Sequence, residues 1–299
     1  MSNPAAGHPK HRLSAADLGM FLVVLIWGVN FSVTKGAFAS FPPLAFTAVR
    51  FAIASLLLIP LVWRVEGDGP LPPGALGRLI VLGVVGNTLY QLGFISGLAR
   101  TTASNSALIL AAMPPLTAVS AAVLGLEPAR PRVLVGVVVA SVGVALVVAA
   151  EHRGMGGGSL AGDLLTLGAV VCWVVYTLGL RTLPVGVSPL RVTAVTTVAG
   201  LPGLALAGLP QLLSMDWEGV GTAGWAALGY ATIFSLVVAY ILWNRSVRVV
   251  GPSRTVVYMC LTPLVAVAGA AALLGERPSP LQGVGAALIL SGVVLARRA

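Results

Sequence analysis

Ten apolar runs follow one another through the chain, at 17–38, 43–63, 78–98, 103–125, 132–150, 161–181, 188–208, 221–243, 252–274 and 281–296. A helix needs roughly 20 consecutive apolar residues to cross the hydrocarbon of a bilayer, and runs of this kind are the signature of transmembrane helices. The pieces between them are short and rich in Pro, Gly and charge, as in GDGPLPPG (67–74), EPARPR (127–132) and GERPSP (275–280). Only 9% of residues are charged, against about 25% in a soluble domain, so the chain cannot cover a water-facing surface. The expected fold is an all-α membrane protein with ten transmembrane helices. No loop is long enough for a soluble domain, so function must lie within the membrane.

A net charge of +9 raises the prospect of a nucleic-acid partner. The placement of the charges argues against one. If the N-terminus is cytoplasmic, thirteen of the 18 Lys and Arg fall on cytoplasmic segments, and only Lys35, Arg50, Arg100, Arg153 and Arg277 lie toward the other side. That is the positive-inside bias of a plasma-membrane protein, not a basic binding face, and ten spans then put both termini in the cytoplasm. Residues 10–39 also resemble a signal peptide, ending in Ala37-Phe38-Ala39. The apolar run is nearer a span in length than a signal core, so we expect a retained first helix. Cys172 and Cys260 fall mid-span, where small buried hydrophobes are the ordinary reading. No Cys/His spacing suggests a metal, and no cofactor is expected.

The chain repeats itself. Trp27, Lys35 and Pro43 match Trp173, Arg181 and Pro189 at an offset of 146. Arg100 and Pro115 match Arg248 and Pro263 at 148, and Glu127, Pro131, Gly136 and Gly143 match Glu276, Pro280, Gly285 and Gly292 at 149. Ordered matches with so little drift predict two five-helix units, 1–152 and 153–299. Because five is odd, the second unit must enter the bilayer upside down. Inverted repeats of this kind are a hallmark of secondary transporters, whose site lies between the halves.

With a Trp-bearing first helix, a proline in the fourth helix of each unit, and Leu124-Gly125-Leu126-Glu127 answered by Leu274-Gly275-Glu276, the sequence resembles the drug/metabolite transporter superfamily, and within it the EamA-type exporters. The resemblance covers nearly the whole chain. It implies a cavity formed by helices 1, 3, 4, 6, 8 and 9, and similar members include exporters of amino acids, notably aromatic ones.

Helical spacing gives the candidate site independently. Trp27, Asn30, Phe31 and Thr34 follow i, i+3, i+4, i+7 and share one face of helix 1. Asn87, Tyr90, Gln91 and Phe94 repeat the pattern on helix 3, as do Thr255, Tyr258, Met259 and Thr262 on helix 9. Trp173, Tyr176 and Thr177 share a face of helix 6, and Asn105, Ser106, Ile109 and Met113 one of helix 4. A single buried Asn is explained by one interhelical hydrogen bond, worth about 0.6 kcal/mol. Stripes on several helices, each costing several kcal/mol if turned to lipid, must converge. A converging set with Trp, Tyr and Phe suits a small solute with polar groups and an apolar or aromatic side chain. The substrate-binding candidates are Trp27, Asn30, Phe31, Thr34, Asn87, Tyr90, Gln91, Phe94, Asn105, Met113, Trp173, Tyr176, Thr255 and Tyr258.

Near span ends, Trp63, Trp217, Trp225 and Trp243 read as interfacial anchors. Lys35 is placed to snorkel toward the outer surface. Arg50, deeper in helix 2, needs a partner, and Asp163 is the candidate for a structural ion pair. Glu127 and Glu276 read as capping or gating contacts. Pro114, Pro115 and Pro263 interrupt helices 4 and 9 as paired hinges or as fixed kinks that widen the cavity. Gly136/Gly143 and Gly285/Gly292 suit close helix packing, including a dimer seam on helices 5 and 10, so both a monomer and a homodimer stay open. An intramembrane enzyme would need a base, nucleophile or metal at mid-span. His8, His11 and His152 are all terminal or in loops, and no carboxylate lies near the middle of a run. The expectation is therefore an alternating-access exporter of small metabolites, most of all amino acids with aromatic ones favoured, with other amphipathic compounds or drugs as the second substrate class. Without a central carboxylate it runs down a solute gradient, although coupling through Asp17 or Asp163 stays open.

Overall fold

A computed structural model describes residues 15–126, 131–150 and 159–297. These form α1 (Ala15–Ala37), α2 (Pro43–Glu66), α3 (Ala75–Arg100), α4 (Ala103–Val123), α5 (Pro131–Ala150), α6 (Leu160–Thr182), α7 (Pro189–Ser214), α8 (Thr222–Val250), α9 (Pro252–Tyr258, a 3-10 turn Met259–Leu261, then Thr262–Leu274) and α10 (Pro280–Arg297). Among the described residues there is no β-strand. Seven helices, α1–α4 and α6–α8, are long and apolar enough to cross a membrane, and shorter apolar stretches run through α5, α9 and α10.

Local chemistry sets the boundaries. Pro43 and Pro189 open α2 and α7, where a missing N–H is harmless. The Ser159 and Ser188 side chains cap α6 and α7 by accepting from Gly162 N–H and Arg191 N–H. α2 and α8 stop at Gly67 and Gly251, whose φ of 69° and 89° a side chain rarely tolerates. Two helices carry wider π-helical turns, Val84–Leu89 in α3 and Ala231–Val238 in α8. α4 is interrupted at 111–112, and its second piece begins at Met113 with Pro114 and Pro115 in the first turn. Pro263 occupies the same place in the last piece of α9. The three prolines therefore stand in the first turn of the helical piece that follows each break, where a missing N–H is tolerated.

The dominant packing pairs are α5 with α10, α2 with α7, α3 with both α6 and α7, and α1 with both α9 and α8. α2 and α7 run antiparallel: Leu44 N–H and Ala45 N–H donate to Gln211 Oε1 at one end, and Ser188 Oγ donates to Glu66 at the other. α5 and α10 are antiparallel as well. A Cβ added to Gly143 would lie 2.7 Å from Gly285 O, and one added to Gly292 only 2.4 Å from Gly136 O. The glycine seam is thus spent joining α5 to α10 inside the chain, and a homodimer using those glycines would have to displace that contact. Gly93 and Gly97 likewise admit α6 against α3, facing Leu165, Ala169, Gly162 and Thr166. The outer surface stays apolar, with side chains such as Leu56, Leu206, Leu213 and Val123 exposed, as a lipid-facing wall requires.

Candidate central cavity

Seven helices send side chains into one cavity: Trp27, Asn30 and Phe31 from α1, Arg50 from α2, Tyr90, Gln91 and Phe94 from α3, Leu110 and Met113 from α4, Trp173 from α6, Ser235 and Tyr240 from α8, and Met259 from α9. Trp173 is the hub, its ring 4.8 Å from Tyr90, 5.4 Å from Tyr240 and 5.6 Å from Trp27. Edge contacts dominate, as the ring quadrupole favours, and Phe94 stacks on Tyr90 at 5.7 Å. The Trp27 indole N–H donates to Ser235 O at 3.0 Å, reaching across to the π-helical turn of α8. Arg50 is 1% exposed, and its Nη2 donates to Gln91 Oε1 at 2.6 Å. Gln91 Nε2 in turn donates to the Tyr240 hydroxyl at 3.4 Å. Asn30 Oδ1, Trp173 Nε1 and Arg50 Nε have no hydrogen-bond partner among the described residues. The space is about 40 Å³, room for roughly three waters.

Eight of the fourteen sequence-derived candidates meet here: Trp27, Asn30, Phe31, Tyr90, Gln91, Phe94, Met113 and Trp173. The other six stand elsewhere in this conformation. Thr34 is fully buried. Asn87 lies within the π-helical turn of α3, against Gly200 of α7. Asn105 Nδ2 donates to Asp163 Oδ1 at 2.6 Å, and the Tyr176 hydroxyl donates to Asn244 Oδ1 at 2.9 Å. Thr255 Oγ1 shares a 2.9 Å hydrogen bond with Ser246 Oγ, and the Tyr258 hydroxyl donates to Asp17.

Three expectations are corrected. Arg50 does not pair with Asp163: it binds Gln91, while Asp163 accepts from Asn105 and from Thr101 Oγ1 at a helix end. Trp243 is no surface anchor, because α8 continues to Val250 and buries the indole 5.3 Å from Trp27. Lys35 does not snorkel outward; its Nζ folds onto Leu98 O and Thr101 O, both at 2.7 Å, neutralising carbonyls at the C-terminal end of α3. Trp63, Trp217 and Trp225 are exposed as expected. Glu276 does act as a cap: its carboxylate accepts from Ala103 N–H (2.9 Å), Ser104 N–H (3.0 Å) and Ser104 Oγ (2.7 Å), joining the end of α9 to the start of α4. Glu127 lies outside the described residues.

Sequence reasoning missed Tyr240, Ser235 and Leu110 at the cavity and assigned Arg50 a structural role. The signal for α8 was present: Tyr240, Trp243, Asn244 and Val247 follow the same i, i+3, i+4, i+7 rule and all four are buried. Among the described residues no three His, Cys, Asp or Glu side chains gather as metal ligands.

Known proteins are similar to this chain over nearly its whole length. The Bacillus subtilis (strain 168) protein named uncharacterized transporter YyaM is 28% identical over 281 residues, covering 90% of this chain and 89% of its own. The Escherichia coli (strain K12) uncharacterized inner membrane transporter YedA is also 28% identical, covering 92% of this chain and 88% of its own. A Salmonella typhimurium protein named a probable amino-acid metabolite efflux pump is 28% identical with 92% of each chain covered. A solved crystal structure shares the fold with a TM-score of 0.65 and 22% identity, covering 96% of this chain and 99% of that one. The profile of the EamA-like transporter family matches twice, over residues 14–149 and again over 160–298. With both halves matched and a ring-lined hollow between its helices, this multi-pass membrane protein is a transporter, not an enzyme, and belongs to the EamA-like transporter family.

Proposed function

We propose that the protein exports small metabolites, amino acids foremost and aromatic ones favoured, by alternating access through the central cavity. The observation that carries this reading is the cavity itself: rings and unpartnered polar atoms from both halves of the chain enclose one space. Ten spans as two inverted five-helix repeats, 1–152 and 153–299 with both termini cytoplasmic, are part of the proposal. Exchanging each helix for the one five places on maps the packing of α3 on α6 onto that of α8 on α1, and returns α2 with α7 and α5 with α10 to themselves. The π-helical turns begin 147 residues apart, at 84 and 231. Antiparallel running of α2 against α7 and of α5 against α10 supports the inversion.

The eight convergent residues would contact the solute. Thr34, Asn87, Asn105, Tyr176, Thr255 and Tyr258 would shape the walls and ends through which it passes. Because a cavity of about 40 Å³ is too small for an aromatic side chain, the halves must part. Pro114, Pro115 and Pro263, at the breaks in α4 and α9, are the proposed hinges. Among the described lining residues there is no carboxylate to carry a proton, which supports movement down the solute gradient. The name of the Salmonella relative supports the amino-acid class. Uptake of radiolabelled Phe, Trp and Thr into proteoliposomes, with and without a pH gradient, tests the proposal. Saturable flux of Phe and Trp above Thr is expected; no flux above protein-free vesicles would sink it.

A further inference from the structure

Arg50 is the least explained residue of the cavity. Its guanidinium carries a permanent charge and five N–H donors. A buried cation without a counter-ion costs several kcal/mol, so such groups in membrane proteins mark sites more often than they mark structure. Among the described residues no carboxylate lies within 4 Å of it; its one hydrogen bond goes to the neutral Gln91 amide, and its Nε has no partner. Phe46 and Phe51 lie under its guanidinium carbon at 5.5 and 5.8 Å, which helps to hold the cation but does not neutralise it. Every other described residue lining the cavity is uncharged, so the space carries a net charge of +1.

We propose that Arg50, steadied by Gln91, is a carboxylate-binding subsite. The cavity then selects anions with an apolar or aromatic body and does not require an α-ammonium group. This rests on the transport reading above and narrows it. The guanidinium fork matches a carboxylate in geometry as well as charge. Tyr90, Phe94 and Trp173 supply the apolar surface beside it. Among the described lining residues no anion is available for an ammonium; Asn30 Oδ1 offers it one neutral acceptor. Aryl carboxylates lacking the amine should therefore bind at least as well as the amino acid, and amines lacking the carboxylate should be rejected.

Binding to the purified full chain, read by quenching of its tryptophan fluorescence, separates these cases, since Trp27 and Trp173 border the space. The probes are 3-phenylpropanoate, L-phenylalanine and phenethylamine. 3-Phenylpropanoate is expected to bind at least about tenfold tighter than phenethylamine, with phenylalanine no tighter than 3-phenylpropanoate. Arg50→Gln should erase that preference. Gln91→Glu, nearly the same shape, places an internal carboxylate where Gln91 Oε1 now stands 2.6 Å from the guanidinium, and should also erase it. That variant decides the matter if Arg50→Gln fails to fold. Equal binding of amine and acid by the unaltered protein, no binding of any probe, or a preference that survives Gln91→Glu overturns the subsite. Phenylalanine counterflow in vesicles reads the transport proposal separately: counterflow without acid preference sinks only the subsite, and Arg50-dependent binding without counterflow sinks only amino-acid transport.

Discussion

Glu276→Gln probes the seal at the end of the molecule where α1 and α9 finish and α4 begins. The carboxylate there accepts from two backbone N–H groups and one hydroxyl, at 2.9, 3.0 and 2.7 Å. Glutamine keeps one acceptor oxygen and turns an NH2 toward a backbone N–H, a donor that cannot accept from it. One to two hydrogen bonds to a charged group are lost, about 2–3 kcal/mol at this half-buried position. If this contact holds the end closed, the closed-to-open ratio falls roughly 30- to 150-fold. Ser106, fully buried on α4 two residues past Ser104, is a suitable reporter. With Cys172 and Cys260 replaced by Ala and Ser106 by Cys, a membrane-impermeant maleimide should react slowly when Glu276 is present. In the Glu276→Gln variant of the same background it should react at least about tenfold faster, the lower side of that estimated shift. An unchanged labelling rate together with unchanged flux would refute the idea that this carboxylate gates the cavity.

Pro115→Ala and Pro263→Ala should each slow transport while leaving expression and binding intact, because a continuous helix replaces the break; unchanged flux removes the hinge. Gly292→Ala drives a Cβ to 2.4 Å from Gly136 O and 2.6 Å from Ala140 N, and such overpacking should cost about 1–3 kcal/mol, read as a lower thermal midpoint in detergent. Gly283→Ala, where a Cβ meets nothing within 4 Å, is the control and should leave that midpoint in place. Asp17→Asn and Asp163→Asn should leave the shape of the flux-versus-pH curve unchanged, since each carboxylate accepts hydrogen bonds at a helix end outside the cavity lining; a profile that flattens in either variant would restore proton coupling.

Much of the fold was legible because lipid permits few alternatives: long apolar runs had to be helices, and their polar stripes had to meet. The middle of each stripe reached the cavity and its ends did not. A stripe from Trp27 to Thr34 climbs about 10 Å at 1.5 Å per residue, farther than so small a cavity extends, so Thr34, Asn105 and Tyr258 arrive elsewhere. Trp243 was misjudged because the apolar run ends there in sequence while the helix runs on through Asn244, Arg245 and Ser246. Arg50 was misjudged because choosing its partner requires knowing which spans are neighbours, and a single chain does not print that.

The two π-helical turns carry a consequence for how such a protein can change. A wide turn accommodates one extra residue, and one residue of α-helix is about 100° of rotation. Tyr90 and Gln91 are the first two residues after the widened stretch of α3, and Tyr240 is the second after that of α8. Their facing is therefore a matter of phase as well as of identity. Losing a single codon between Val84 and Leu89 would swing the downstream side chains round the axis and turn Tyr90 and Gln91 out of the hollow, with not one lining residue mutated.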